Sequence, residues 1–268
     1  MSPEIFASSL LLALAFLTAL AWKWRIKIKT AMWGGIIIGG LNGLIVAWIQ
    51  SVTNGLNIAH LILIELCLIL IMTFIIIMAR FYRDPERYPT ETESVILSPA
   101  DGKVIYINQV EKGSSLVSTK GKKKFELDEI ASTDVLANAA YLMGIDMNIL
   151  NVHVNRSPIG GEIIFWKRTK GRFMSLRKPE SEIENERVTT VISNGKFSIG
   201  VIQISSRLVR KIVSYFGKGD SLEIGQRLGA IVFGSQVDII IPELDNFRME
   251  VKPGDEVKAG ISVLARYG

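Results

Sequence analysis

Residues 225–242 read GQRLGAIVFGSQVDIIIP, and their pattern decides what kind of chain this is. Two strongly apolar runs, Gly229–Phe233 and Val237–Ile241, flank a Gly234–Ser235 pair. The runs are rich in β-branched residues and too short for ordinary helices, so they read as strands meeting at glycine. Similar short runs lie outward from them, separated by Gly, Pro, Asn and Asp: Val104–Val110, Ile145–Val154, Glu162–Trp166, Val188–Ile192, Phe197–Ile204, Leu208–Phe216 and Ile261–Ala265. This spacing predicts a compact, mostly antiparallel β domain. One helix is predicted over Asp128–Leu142, where acidic residues occupy the first turn. The stretch SLVSTKGKKKFELD from Ser115 is predicted to be a hairpin tip or loop.

The first eighty residues are of another kind. Three apolar stretches, about 5–22, 31–51 and 58–79, each approach the ~20 residues that cross a bilayer as helix. The predicted organisation is therefore a three-span transmembrane anchor over residues 1–80 and a β domain over 81–268. Four basic residues lie in KWRIKIK from Lys23, and Arg80, Arg83 and Arg87 follow the third span. The positive-inside rule then places the amino terminus outside and the β domain on the cytoplasmic side of a multi-pass cell-membrane protein. Gly35, Gly39 and Gly43 form a small-residue stripe on the second span. It reads first as packing within the anchor and second as the seam of a homodimer. His60 and Glu65 lie near the outer end of the third span, where both are expected to reach water.

Charge excludes several function classes. The net charge is +5 over 268 residues, and residues beyond 80 hold 26 basic against 24 acidic groups. Nothing there argues for nucleic acid as a partner. A single cysteine, Cys67, leaves no intramolecular disulfide, and two histidines leave no three-histidine metal site, so no metal is expected.

The β region carries an internal echo. SPADGKV at Ser98 matches SPIGGEI at Ser157, and KGDSLEIGQ at Lys218 matches PGDEVKAGI at Pro253. Paired turns of this kind suit a quasi-twofold β-sandwich, a barrel-sandwich hybrid of lipoyl or biotinyl type. Where the first copy has Asp101 the second has Gly160, so the turn itself needs no carboxylate and Asp101 becomes a candidate functional acid. His153 is the only histidine of this region, and the Gly234–Ser235 pair supplies a hydroxyl beside a residue without Cβ.

These residues resemble a family. FYRDPER (81–87), SPADGKV (98–104), HVNRSP (153–158), ENER (184–187), SRLVRKIV (206–213) and GQRLGAIVFGSQVDIIIP (225–242) are similar, in family order, to the phosphatidylserine decarboxylases. The likeness is to the short-form branch that includes archaetidylserine decarboxylases. The resemblance implies a proenzyme that cleaves itself between Gly234 and Ser235. Its cofactor would be a covalent pyruvoyl group derived from Ser235, acting as electron sink in place of pyridoxal phosphate. The implied partners are a serine phospholipid, the membrane, and the chain's own cleaved fragment, 1–234 holding 235–268. Its implied product is the ethanolamine lipid plus CO2.

Ser235, His153 and Asp101 match the family's catalytic positions, the carboxylate fixing the imidazole tautomer. Candidates for the head-group phosphate are Arg156, Lys167, Arg168, Arg172 and Arg207. Two departures from long-form relatives stand out. Arg156 occupies the place of a second histidine, so either His153 serves both cleavage and decarboxylation or another group is the base. Gln236 replaces a threonine after the serine. A rival reading, a non-enzymatic membrane adaptor built on a lipoyl-like sandwich, predicts an uncut chain.

Overall fold

A computed structural model describes residues 3–24, 26–53, 56–109, 117–120, 123–126, 139–169, 186–205, 211–232 and 235–268. Residues 117–120, 123–126, 139–140 and 235 are described by their backbone alone. The chain divides into two compact units: Met1–Arg83 with Asn148–Leu150, and Asp84–Met147 with Asn151–Gly268.

Three helices make up the first unit: α1 (Pro3–Trp24), α2 (Ile28–Val52) and α3 (Ile58–Phe81), each long and apolar enough to cross a membrane. The Asn57 side chain caps α3 by accepting from the His60 backbone N–H at 3.0 Å. The glycine stripe of α2 lies against α1. A Cβ at Gly35 would come within 2.8 Å of Leu14, at Gly39 within 2.8 Å of the Leu10 backbone, and at Gly43 within 2.8 Å of Phe6. Glycine is what lets the two backbones approach, so the stripe is filled inside the unit.

Glu65 corrects an expectation. Far from reaching water, it is 1% exposed and turned inward. The Ser8 and Ser9 hydroxyls donate to its Oε1 at 2.8 and 2.7 Å, and Asn42 Nδ2 donates to its backbone carbonyl at 3.3 Å. Polar groups in an apolar bundle seek one another because hydrocarbon offers no alternative. Glu65→Ala removes the acceptor of two hydroxyls. At about 0.6 kcal/mol per interhelical bond, these two contribute about 1 kcal/mol. Thermal unfolding in detergent should show that loss, with Glu65→Gln falling between the two.

The second unit is β. Among the described residues its largest sheet has eight antiparallel strands in the order β11 (Ser221–Leu222), β7 (Gly161–Thr169), β8 (Arg187–Ser193), β9 (Ser198–Ser205), β13 (Ser235–Pro242), β5 (Ala139–Met147), β2 (Gly102–Gln109) and β15 (Glu256–Val257). A three-stranded sheet runs β10 (Lys211–Ser214), β12 (Arg227–Val232), β6 (Val154–Arg156), and another β1 (Val95–Leu97), β16 (Val263–Arg266), β14 (Arg248–Met249). β3 (Val117–Lys120) and β4 (Lys123–Glu126) pair antiparallel, as the hairpin reading expected. The apolar faces enclose one core that includes Ile96, Val104, Ile145, Ile163, Val201, Ile231, Val237 and Leu264.

The internal echo is real and reciprocal. The Leu97 N–H donates to the Pro158 carbonyl at 3.0 Å, and the Arg156 N–H to the Pro99 carbonyl at 2.9 Å. Ser98 and Ser157 hydroxyls donate to the carbonyls of Ala100 and Ile159, two residues on in each case. Gly254 and Gly219 donate to the carbonyls of Val104 and Ile163, at 2.7 and 2.8 Å. Both have positive φ, +105° and +94°, a conformation that glycine adopts without steric cost.

Two strand expectations change. Ile145–Val154 is not continuous, because a turn at 149–151 separates β5 from β6. Asn148 Oδ1 drives that turn by accepting from the Leu150 N–H at 2.9 Å. The described end of the predicted helix 128–142, residues 139–142, is also strand: Tyr141 and Leu142 pair with both β13 and β2, and 128–138 lie outside the described residues.

Candidate active site

Asp101 ends the Ser98–Pro99–Ala100 turn at the entrance to β2 and is 5% exposed. Its carboxylate accepts a bidentate fork from Arg87: Nη2 to Oδ2 is 2.9 Å and Nη1 reaches Oδ1. It also accepts from the Ala259 N–H at 2.8 Å and the Val152 N–H at 3.4 Å. One buried carboxylate thus ties together the FYRDPER segment, the SPADG turn, the residue before His153 and the carboxy-terminal turn. A fork of parallel charged bonds is the strongest and most directional form of such a contact.

His153 is 3% exposed and lies just before β6. Its backbone carbonyl accepts from the Ile231 N–H at 3.1 Å, which continues the β6–β12 ladder. The imidazole Nδ1 lies 2.9 Å from the Asn151 carbonyl. A carbonyl can only accept, so Nδ1 carries a proton, and in the neutral ring Nε2 keeps its lone pair. The tautomer is that of a base, but a backbone carbonyl fixes it. Asp101 meets the adjoining Val152 N–H, whereas the expectation had it on the ring.

From β12 the chain passes through residues 233 and 234 into β13. Gly234 lies outside the described residues, and Ser235 is the first residue of β13, paired with Met147 of β5 and Ser205 of β9. The three expected residues are therefore linked through backbone: Asp101 to Val152, His153 to β12, and β12 onward to position 235.

The phosphate candidates separate on inspection. Arg156 is 4% exposed and committed: it donates to the Gly225 and Pro85 carbonyls at 3.0 and 3.1 Å and pairs with Asp84 at 3.6 Å. Burial is the largest influence on its guanidinium and lowers its hold on its proton; nearby Arg227 acts the same way and Asp84 opposes both. Arg168 donates to the Ile212 carbonyl at 2.7 Å and pairs with Glu186 at 3.5 Å. Lys167 is exposed on β7, and Arg172 and Arg207 lie outside the described residues.

Sequence reasoning missed Arg87 as the partner of Asp101, having placed it among the basic residues that follow the third span. The signal was its mixed charge: Arg227 donates to both Asp84 and Glu86, at 2.6 Å each. The hydrogen bond from Arg227 holds the Glu86 carboxyl below its ordinary value of 4.5. A depressed folded value stabilises the fold above the unfolded value and is lost as pH falls through the folded one. Arg227→Gln should therefore melt slightly below wild type at pH 7. The gap should close as pH falls below 4.5 and through the lowered value of Glu86.

Residues 74–265 match the family model described as phosphatidylserine decarboxylase, and the chain belongs to the phosphatidylserine decarboxylase family. Particular relatives narrow the likeness. A protein of Methanocaldococcus jannaschii, provisionally named an archaetidylserine decarboxylase proenzyme, is 37% identical over 202 residues, 75% of this chain and 93% of the relative. One from Methanothermobacter thermautotrophicus with the same name is 36% identical over 74% of this chain and 84% of its own length. The phosphatidylserine decarboxylase proenzyme of Desulfotalea psychrophila is 33% identical over 73% of this chain and 84% of its length.

Proposed function

We propose that the chain is a proenzyme that cleaves itself between Gly234 and Ser235 and then decarboxylates a serine-headgroup phospholipid to the ethanolamine lipid. The observation that supports this reading is that β12, which ends at Val232, and β13, which begins at Ser235, belong to different sheets. β12 belongs with β10 and β6, and β13 lies between β9 and β5. A chain cut between them leaves β12 and β13 each paired on both sides, so 1–234 and 235–268 stay associated without a linking bond.

The serine hydroxyl is a weak nucleophile until a base takes its proton. His153 fills that role through Nε2, with Nδ1 on Asn151 and the segment held through Val152 by Asp101. The residues present fit a pyruvoyl group at 235: the position leads a strand tied on both sides, next to a sheet that holds a buried histidine. When present, that group supplies an electron sink for the electrons left as CO2 departs. His153, having taken a proton as base, is also placed to return one as donor in the decarboxylation.

Lys167, with Arg172 and Arg207, serves the head-group phosphate, while Arg156 is a structural tether. The β unit is a barrel-sandwich hybrid, supported by the reciprocal turns. The three helices form a multi-pass anchor, and the basic loop after α1 sets the β unit on the cytoplasmic side.

Intact mass spectrometry of the purified chain tests the reading. The expected result is two fragments, the smaller starting at 235 and reactive toward carbonyl reagents, with CO2 released from serine phospholipid vesicles. A single uncut chain favours the adaptor alternative and overturns the proposal.

A further inference from the structure

Asn155 lies on β6, two residues after His153, and is fully buried. The orientation of its amide is set from one side. Gln203 of β9 donates its Nε2–H to Asn155 Oδ1 at 2.8 Å, so Asn155 Nδ2 must point the other way. There it meets, among the described residues, only the Met147 sulfur, at 3.9 Å. A thioether is a weak acceptor, and a strong amide donor in a dry interior with so poor a partner costs free energy. Met147 and Ser205 are the two register partners of position 235, and Gln203 pairs with Val237 on the same strand. The amide is thus held by a neighbour of β13 and directed at the residue flanking the start of β13.

We propose that Asn155 is a hydrogen-bond donor for the carbonyl chemistry at position 235, aimed by Gln203. This rests on the self-cleavage reading above. The Ser235 hydroxyl oxygen adds to the Gly234 carbonyl carbon, and its proton passes to the base. The C–N bond then breaks as that proton goes to the leaving amine, giving an ester. The carbonyl oxygen carries negative charge between those events, and the Asn155 N–H is the donor that receives it. A preorganised donor in a site closed to water lowers such a barrier far more than it could in solution. Gln203 is a positioning residue, acting through the Asn155 amide.

The test follows cleavage of newly made full-length chain over time, by gel and intact mass, in wild type, Asn155→Asp and Gln203→Met. Asn155→Asp keeps the shape and an acceptor for Gln203 but replaces the donor with an oxygen. It should slow cleavage by about 100-fold, the usual effect of removing one such donor. Gln203→Met should slow it severalfold, with a fall in melting temperature because Asn155 Oδ1 loses its donor. On material that has cleaved, kcat for decarboxylation should fall with KM held within about twofold, which a general loosening of the core would not produce. If Asn155→Asp does not fold, Gln203→Met decides: cleavage at the wild-type rate overturns the proposal. Wild-type cleavage in folded Asn155→Asp overturns this inference alone, whereas an uncut wild-type chain overturns the function and this inference together.

Discussion

Ser235→Ala leaves the chain in one piece and abolishes decarboxylation. The expected loss exceeds 1000-fold, because the hydroxyl is both the nucleophile of the cleavage and the leaving oxygen whose departure with Gly234 lets residue 235 become a ketone, and nothing else replaces either. The substitution is mild for the fold. Position 235 is held by backbone pairing to Met147 and Ser205, and alanine retains both ladders. The melting temperature should therefore match that of uncut wild type, so lost activity cannot be assigned to unfolding. Intact mass reads the cleavage and CO2 release from serine phospholipid vesicles reads the turnover. Ser235→Cys sharpens the result: a thiol is the better nucleophile, so the chain should still be cut. An alanine variant that is cut at the wild-type rate would remove Ser235 from the chemistry.

What the sequence revealed, and what it hid, follows from the range of the forces involved. The three long helices were legible because apolar length is a local property of the chain. The β unit was legible from short β-branched runs, and the paired turns from repeated Ser-Pro and Gly-Asp strings. Comparing the two copies singled out Asp101, since Gly160 shows that the turn forms without a carboxylate.

Pairing between distant segments was hidden. Glu65 was placed near water because its depth along α3 was visible and its facing toward Ser8, Ser9 and Asn42 was not. Tyr141 and Leu142 read as helix by composition and became strand because β13 and β2 supply ladders on both sides. Gly144 within that strand admits the Tyr106 ring, which lies 2.4 Å from where a Cβ would stand. Arg156 and Arg168 were named as phosphate candidates because the carbonyls and carboxylates they meet in the fold leave no trace in the sequence. Arg87, 14 residues before Asp101, gave no spacing that announced their fork.

That fork yields the second large effect. Asp101→Ala strands the Arg87 guanidinium, whose side chain is only 10% exposed, together with the Ala259 and Val152 N–H groups. Removing one partner of a buried ion pair costs about 3–5 kcal/mol, mostly the burden of the charge left behind. Asp101→Asn keeps one acceptor oxygen and the shape, so its loss should be smaller. The double variant Arg87→Leu with Asp101→Ala should recover part of the loss, because it removes the stranded charge as well. Denaturant unfolding of the full chain in detergent reads these differences. Cleavage separates the two roles assigned to Asp101. If it serves His153 only by fixing Val152, the double variant regains stability while cleavage stays slow, since the Val152 N–H remains unheld. If the fork is merely a brace, stability and cleavage return together, and Asp101 loses its place in the site.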